Sequence, residues 1–171
     1  VKQPASRQPD ARGLRILVLR TGFNSHVVDG LASGAEAALR EMGAAARDVL
    51  EVEVPGAFEL PLGARAAANS GRFDAIVAVG AVIKGETDHY EHVAREASAG
   101  LAAVARETGV PVGFGVLTVG EESQALRRSQ PGPGNKGAEA ARAAVAMAEA
   151  LRRLSRPGGG KGVPSRARRR E

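Results

Sequence analysis

The chain has 171 residues, enough for one domain with a real core and too few for two ordinary ones. It contains no cysteine, which excludes disulfides, thiolate metal sites and a cysteine nucleophile and suits a reducing compartment. The net charge of +5 is concentrated at one end: Arg152 to Glu171 holds eight of the 24 basic residues and one of the 19 acids, so the body is near neutral and lacks the basic balance of a nucleic-acid-binding domain.

No apolar run approaches the roughly 20 residues of a membrane helix, and Val1-Lys2-Gln3-Pro4 lacks the apolar stretch of a secretory signal, so a soluble, cytoplasmic protein is expected. Residues 1–12 mix proline, glutamine and charge without an apolar period and read as a flexible segment ahead of a domain at 13–154. Leu14 to Leu19 reads as an apolar strand, and Val27, Val28, Leu31, Ala35, Ala38, Leu39 and Met42 follow at helical spacing. Leu50, Val52 and Val54 alternate with Glu51 and Glu53 as in a half-exposed strand. Pro55-Gly56 then turns into a short helix with Pro61 in its first turn.

Ala75 to Val79 is a buried strand leading to a long helix that Thr87 can cap, with Tyr90, Val93, Ala94, Ala97, Leu101, Val104 and Ala105 inward. Val112 to Thr118 supplies a fourth strand, and a short helix is expected near Glu121 to Arg128. Asn135 can cap a last helix carrying Val145, Ala148 and Leu151. Residues 155–171 read as a flexible basic tail. Its Gly158-Gly-Gly-Lys161 is no phosphate loop, because no strand precedes it and no Ser or Thr follows the lysine correctly. The tail is either a contact for nucleic acid or another anionic surface, or simply a solubilising extension.

This alternation predicts a three-layer α/β sandwich, a four-stranded parallel sheet flanked by helices on both faces with right-handed crossovers. Ligands of such sheets bind beyond the carboxyl ends of the strands, here Gly22-Phe23-Asn24, Pro55 to Glu59, and Ala81 to His89. His89 beside Glu86, Thr87 and Asp88 can exchange protons near neutral pH, although a helix-surface histidine would look the same. Gly85-Glu86-Thr87 at a helix start can cradle a phosphate, or serve only as turn and cap. Arg128 can grip such a group bidentately and Lys136 as a point charge; either can equally face solvent. Phe23 and Phe58, in loops at the active edge, can stack on a planar ring or wedge between helices, and Asn24 and Glu59 suit hydrogen bonds to hydroxyls or ring amides. His89 and His92 at a spacing of three suggest a metal site with Glu86, but no third nitrogen ligand is evident. No metal is expected, and His26 and His92 read as solvated.

Phe23-Asn24, Val54-Pro-Gly-Ala-Phe-Glu-Leu-Pro61, Gly80-Ala-Val-Ile-Lys-Gly-Glu-Thr-Asp-His89, Phe114-Gly-Val-Leu-Thr118 and Gly134-Asn-Lys-Gly137, in this order and spacing, resemble the lumazine synthase family. The resemblance covers roughly residues 13 to 154. It implies a flavodoxin-like sheet and an enzyme that condenses 5-amino-6-ribitylaminouracil with 3,4-dihydroxy-2-butanone 4-phosphate, without cofactor or metal. It implies Phe23 stacked on the pyrimidine; Asn24, Ala57, Phe58 and Glu59 on the ribityl chain; Ala81, Val82 and Ile83 on the ring; Gly85, Glu86, Thr87 and Arg128 on the phosphate; and His89 shuttling protons. It further implies a homo-oligomer, a pentamer that in some members packs into an icosahedral shell, in which Phe114 and Lys136 join the pyrimidine and ribityl site, and Arg128 the phosphate site, of a neighbour, and association with riboflavin synthase. The sequence departs from the family at Gly22 and Lys84, where arginines are usual, and in the proline-rich Ser129-Gln-Pro-Gly-Pro-Gly134. A flavin- or nucleotide-binding module without catalysis is the competing reading of the same fold.

Overall fold

The computed structural model describes residues 8–155; residues 1–7 and the tail from 156 onward, where flexible segments were expected, lie outside the described residues. Four strands, β1 (Ile16–Thr21), β2 (Val49–Val54), β3 (Ala75–Ile83) and β4 (Val112–Val119), form one all-parallel sheet in the order β2-β1-β3-β4. This is the order of a flavodoxin-like sheet without its fifth strand, and it reverses direction between β1 and β3. The expected three-layer sandwich is therefore present.

Strand alternation splits the core in two. Ile16, Val18, Val77 and Val79 face a cluster with α1 (Ser25–Glu41) and α5 (Lys136–Leu154). Leu17, Leu19, Ile76 and Ala78 face the other cluster with α2 (Leu60–Asn69) and α3 (His89–Thr108). Because successive residues of a strand point to opposite faces, the stretches buried on both, Ile16 to Leu19 of β1 and Ala75 to Val82 of β3, carry no polar side chain, whereas β1 ends in Arg20 and Thr21. Among the described residues β2 pairs only with β1 and forms an edge of the sheet, and Leu50 and Val52 are exposed along with Glu51 and Glu53. A short α4 (Glu122–Ser129) packs against α1.

Three local expectations are corrected. β1 starts two residues later than expected, because the chain first turns at Gly13 (φ 72°) with Leu14 N–H bonded to Ala11 O at 3.1 Å. Ala11 is fully buried, so packing begins before residue 13. β3 runs through Gly80 to Ile83 rather than stopping at Val79, because β4 pairs with it to the end, Ile83 opposite Val119. Thr87 does not cap α3: the helix starts at His89 after Asp88, and neither side chain makes a capping bond. Asn135, by contrast, accepts from Ala138 N–H at 3.0 Å and caps α5 as expected. Among the described residues no helix is long and apolar enough to cross a membrane.

Candidate active site

The edges of β1 and β3 part at the point where the strand order reverses, and the loops following β1, β2 and β3 close around an open cleft of about 600 Å³. That is room for a small organic ligand, for which about 300–1,000 Å³ is usual. Phe23, Asn24, Ala57, Phe58, Glu59, Ala81, Val82, Ile83, Gly85, Thr87 and His89 all line it.

The loop after β1 is pinned at three points. Gly22 N–H donates to Val54 O at 2.9 Å and Phe23 N–H to Pro55 O at 3.1 Å, which ties it to the loop after β2. Asn24 takes a left-handed conformation (φ 56°), rare for a residue other than glycine, and donates its side-chain Nδ2 to Ala81 O at 2.9 Å across the cleft floor. The strain and the bond go together: one amide joins the end of β1 to the end of β3. Phe23 is 71% exposed and Phe58 58% exposed, so no core contact accounts for these rings. A 3-10 turn at Ala57–Glu59 runs into α2 and sets Glu59 at the cleft wall.

After β3 the chain turns through Lys84 to Asp88 before α3. Among the described residues, the backbone N–H groups of Gly85, Glu86 and Thr87 meet no protein acceptor. Exposed donors at a helix start are suited to an anion. Glu86 sits in this turn but is not among the residues lining the cleft. His89, in the first turn of α3, is exposed and faces the cleft, free to reach a bound molecule.

Tyr90, His92, Val93 and Gly56 also line the cleft and were not singled out as site residues. His92 is solvent-exposed as expected, and it stands on the cleft wall with Nδ1 3.1 Å from Arg95 Nη2. Its spacing of three from His89 puts both on one helix face, a signal available in the sequence. His26 is also exposed as expected, with its Nε2 against Glu122 of α4. Among the described residues no group of His, Asp or Glu is placed to hold a metal ion.

Phe114, Arg128 and Lys136 are not in this cleft. They line a separate recess of about 220 Å³ with residues 115–119 of β4, the strand at the other edge of the sheet. Arg128 Nη1 donates to Gln124 O at 3.0 Å and Lys136 Nζ to Glu139 at 2.7 Å, leaving both near solvent. Conversely, among the described residues no lysine or arginine lines the cleft that contains Gly85, Thr87 and His89.

A charged cluster on the α1 side ties β1 to α1 and β2. Arg20 of β1 bonds Asp29 of α1 and lies 3.5 Å from both Glu51 and Glu53 of β2. The Glu53 carboxylate occupies the space beside Gly22, within 3.1 Å of where a Cβ would stand. Burial, then repulsion from and hydrogen bonding with Glu51, push the Glu36 carboxyl above the usual carboxylate range. A raised folded-state pKa contributes stability fully present below the unfolded value and lost as pH rises through the folded one. Glu36→Gln should therefore melt like the parent at pH 4 and slightly above it at pH 7; thermal melts across that range check it, and equal melting at pH 7 would refute it.

A doubly wound α/β sheet with its cleft at the switch point, exposed rings on one wall and a histidine beside free N–H groups on another, defines a protein of the small-molecule-binding α/β class. A family model described as 6,7-dimethyl-8-ribityllumazine synthase matches residues 13–152. Proteins of that name from Nitratidesulfovibrio vulgaris strains DP4 and Hildenborough are each 45% identical over 147 residues, covering 86% of this chain and 94% of theirs. The strain Miyazaki F counterpart is 44% identical over the same length. The chain belongs to the 6,7-dimethyl-8-ribityllumazine synthase family.

Proposed function

We propose that the chain is a transferase of riboflavin biosynthesis that condenses 5-amino-6-(D-ribitylamino)uracil with 3,4-dihydroxy-2-butanone 4-phosphate, giving 6,7-dimethyl-8-ribityllumazine, phosphate and water. The 5-amino group attacks the ketone and loses water to form an imine, phosphate leaves by elimination to give an enol that becomes a ketone, and the ribitylamino nitrogen attacks that ketone and loses a second water to close the ring. Phe23 stacks on the pyrimidine, Ala81, Val82 and Ile83 line its edge, and Asn24, Ala57, Phe58 and Glu59 hold the ribityl chain. Gly85, Glu86 and Thr87 receive the phosphate, and His89 moves protons during imine formation and elimination.

The observation that carries this reading is the division of the chemistry. A cleft that takes a phosphate ester needs a counter-charge, yet among the described residues its lining holds no lysine or arginine, while Arg128, Lys136 and Phe114 stand together along the β4 edge of the sheet. A second copy docking its β4 edge over the cleft brings both halves together. The working unit is thus a homo-oligomer with shared sites, a cytoplasmic pentamer that can pack into an icosahedral shell and associate with riboflavin synthase. The apolar edge of β2 and Leu62, 74% exposed, supply surface for such contacts.

Mixing both substrates with the assembled protein and following lumazine absorbance and fluorescence tests the activity. Product is expected. None from an assembled sample that still binds flavin would establish the binding-module reading instead. His89→Ala should lower turnover by roughly tenfold, at or below the low end for a general acid–base, because orientation of the two substrates supplies much of the rate. Steady-state kinetics check this, and an unchanged kcat would remove His89 from the mechanism.

A further inference from the structure

Asn135 sits where α1, α4 and α5 meet and is 1% exposed. A helix cap requires only its side-chain oxygen, which Ser, Thr or Asp would supply equally. Here the amide nitrogen is fully used as well: Nδ2 lies 2.9 Å from Gly30 O, 2.9 Å from Ser129 O and 3.1 Å from Gln130 O. Its two hydrogens are shared among three carbonyls. Two of those belong to the residues immediately after Arg128, while the residue after Asn135 is Lys136.

Space for this arrangement comes from α1. A Cβ at Gly34 would stand 2.1 Å from Asn135 Oδ1, and one at Gly30 would stand 2.5 Å from Ser129 O. The bonds that Arg128 and Lys136 make through their own tips are to Gln124 and Glu139 near the surface, contacts of a kind that orient little. The separation of the two cations is set instead from the main chain, through one buried amide bonded to both sides of the 130–135 turn.

We infer that Asn135 is a positioning residue that fixes Arg128 relative to Lys136 so that the pair can receive a phosphate group. The inference rests on the reading of Arg128 as a phosphate ligand. Asn135→Asp keeps the size and the capping oxygen but turns the donor into an acceptor facing three carbonyls; Asn135→Ser keeps a cap and deletes the amide. In assembled samples below the melting transition, both variants should raise KM for the phosphorylated substrate and the inhibition constant of inorganic phosphate together. A rise of about fivefold is expected, the scale of one net hydrogen bond, with kcat and the pyrimidine KM within about twofold of the parent.

A uniform loss of kcat and both KM values, a lowered Tm with unchanged phosphate parameters, or failure of both variants to fold would each make Asn135 merely structural and overturn the proposal. Arg128→Ala run alongside separates the two layers of the argument. If it leaves the phosphate parameters unchanged, the reading of Arg128 fails; if it raises them while both Asn135 variants do not, only the positioning inference fails.

Discussion

Gly137→Ala is expected to abolish stable folding or lower Tm by about 10 °C or more. In an exposed helix the change would stabilise, since alanine is favoured over glycine by about 1 kcal/mol. Here a Cβ would stand 1.9 Å from Leu31 O and 2.7 Å from Leu31 C, where ordinary contact begins at 3.4 Å. Those atoms are main chain of α1, not the end of a side chain that can swing aside. Relief requires α1 and α5 to separate along the face where Val27, Leu31 and Ala35 meet Ala138, Ala141 and Val145 in one core. Overpacking a core costs about 1–3 kcal/mol even when side chains can adjust. A backbone clash lies beyond that range, against a total stability of about 5–15 kcal/mol. Gly134→Ala is the control, because a Cβ there meets nothing within 4 Å. Thermal melts of the two variants decide it, and a Gly137→Ala protein melting within about 2 °C of the parent would mean the helices yield easily.

The same helix pair shows what could be read from sequence and what could not. Apolar spacing placed α1 and its buried face correctly because Val27, Val28, Leu31, Ala35, Ala38 and Leu39 repeat on a local period. The close approach of α1 to α4 at Gly30, and to α5 and its cap at Gly34 and Gly137, is a tertiary fact with no local period. β3 was cut short at Gly80 for a similar reason, as glycine punctuates a strand locally while pairing with β4 continues through it. At the site, Phe23, Phe58 and His89 were legible because they are chemistry-bearing residues at strand ends. The separation of Phe114, Arg128 and Lys136 from the cleft was not: residue type announces charge, but only the folded chain places these three in a different recess, along β4. Asn135 announced its cap and concealed its second role, since the carbonyl of Gly30 lies 105 positions away.

Arg128→Ala is expected to raise KM for the phosphorylated substrate about 100-fold while leaving the pyrimidine KM near its parent value. Hydrogen bonds to charged groups contribute about 1.5–3 kcal/mol each, and a guanidinium can make two to one phosphate; about 2.7 kcal/mol corresponds to the 100-fold change. Binding is weakened rather than lost because the free N–H groups of Gly85, Glu86 and Thr87 remain. Lys136→Ala should cost less, its ammonium being a single point charge already paired with Glu139. Initial rates with each substrate varied separately measure this, and a reduced kcat at unchanged KM would place Arg128 in the chemical step instead. The variant also decides whether sites are shared. A subunit carrying Arg128→Ala retains an intact His89 cleft, and one carrying His89→Ala retains an intact Arg128. If every site draws on two subunits, assembling the two inactive-leaning variants together regenerates some sites with both groups, and specific activity exceeds the average of the two alone. If each chain completes its own site, the mixture gives only that average.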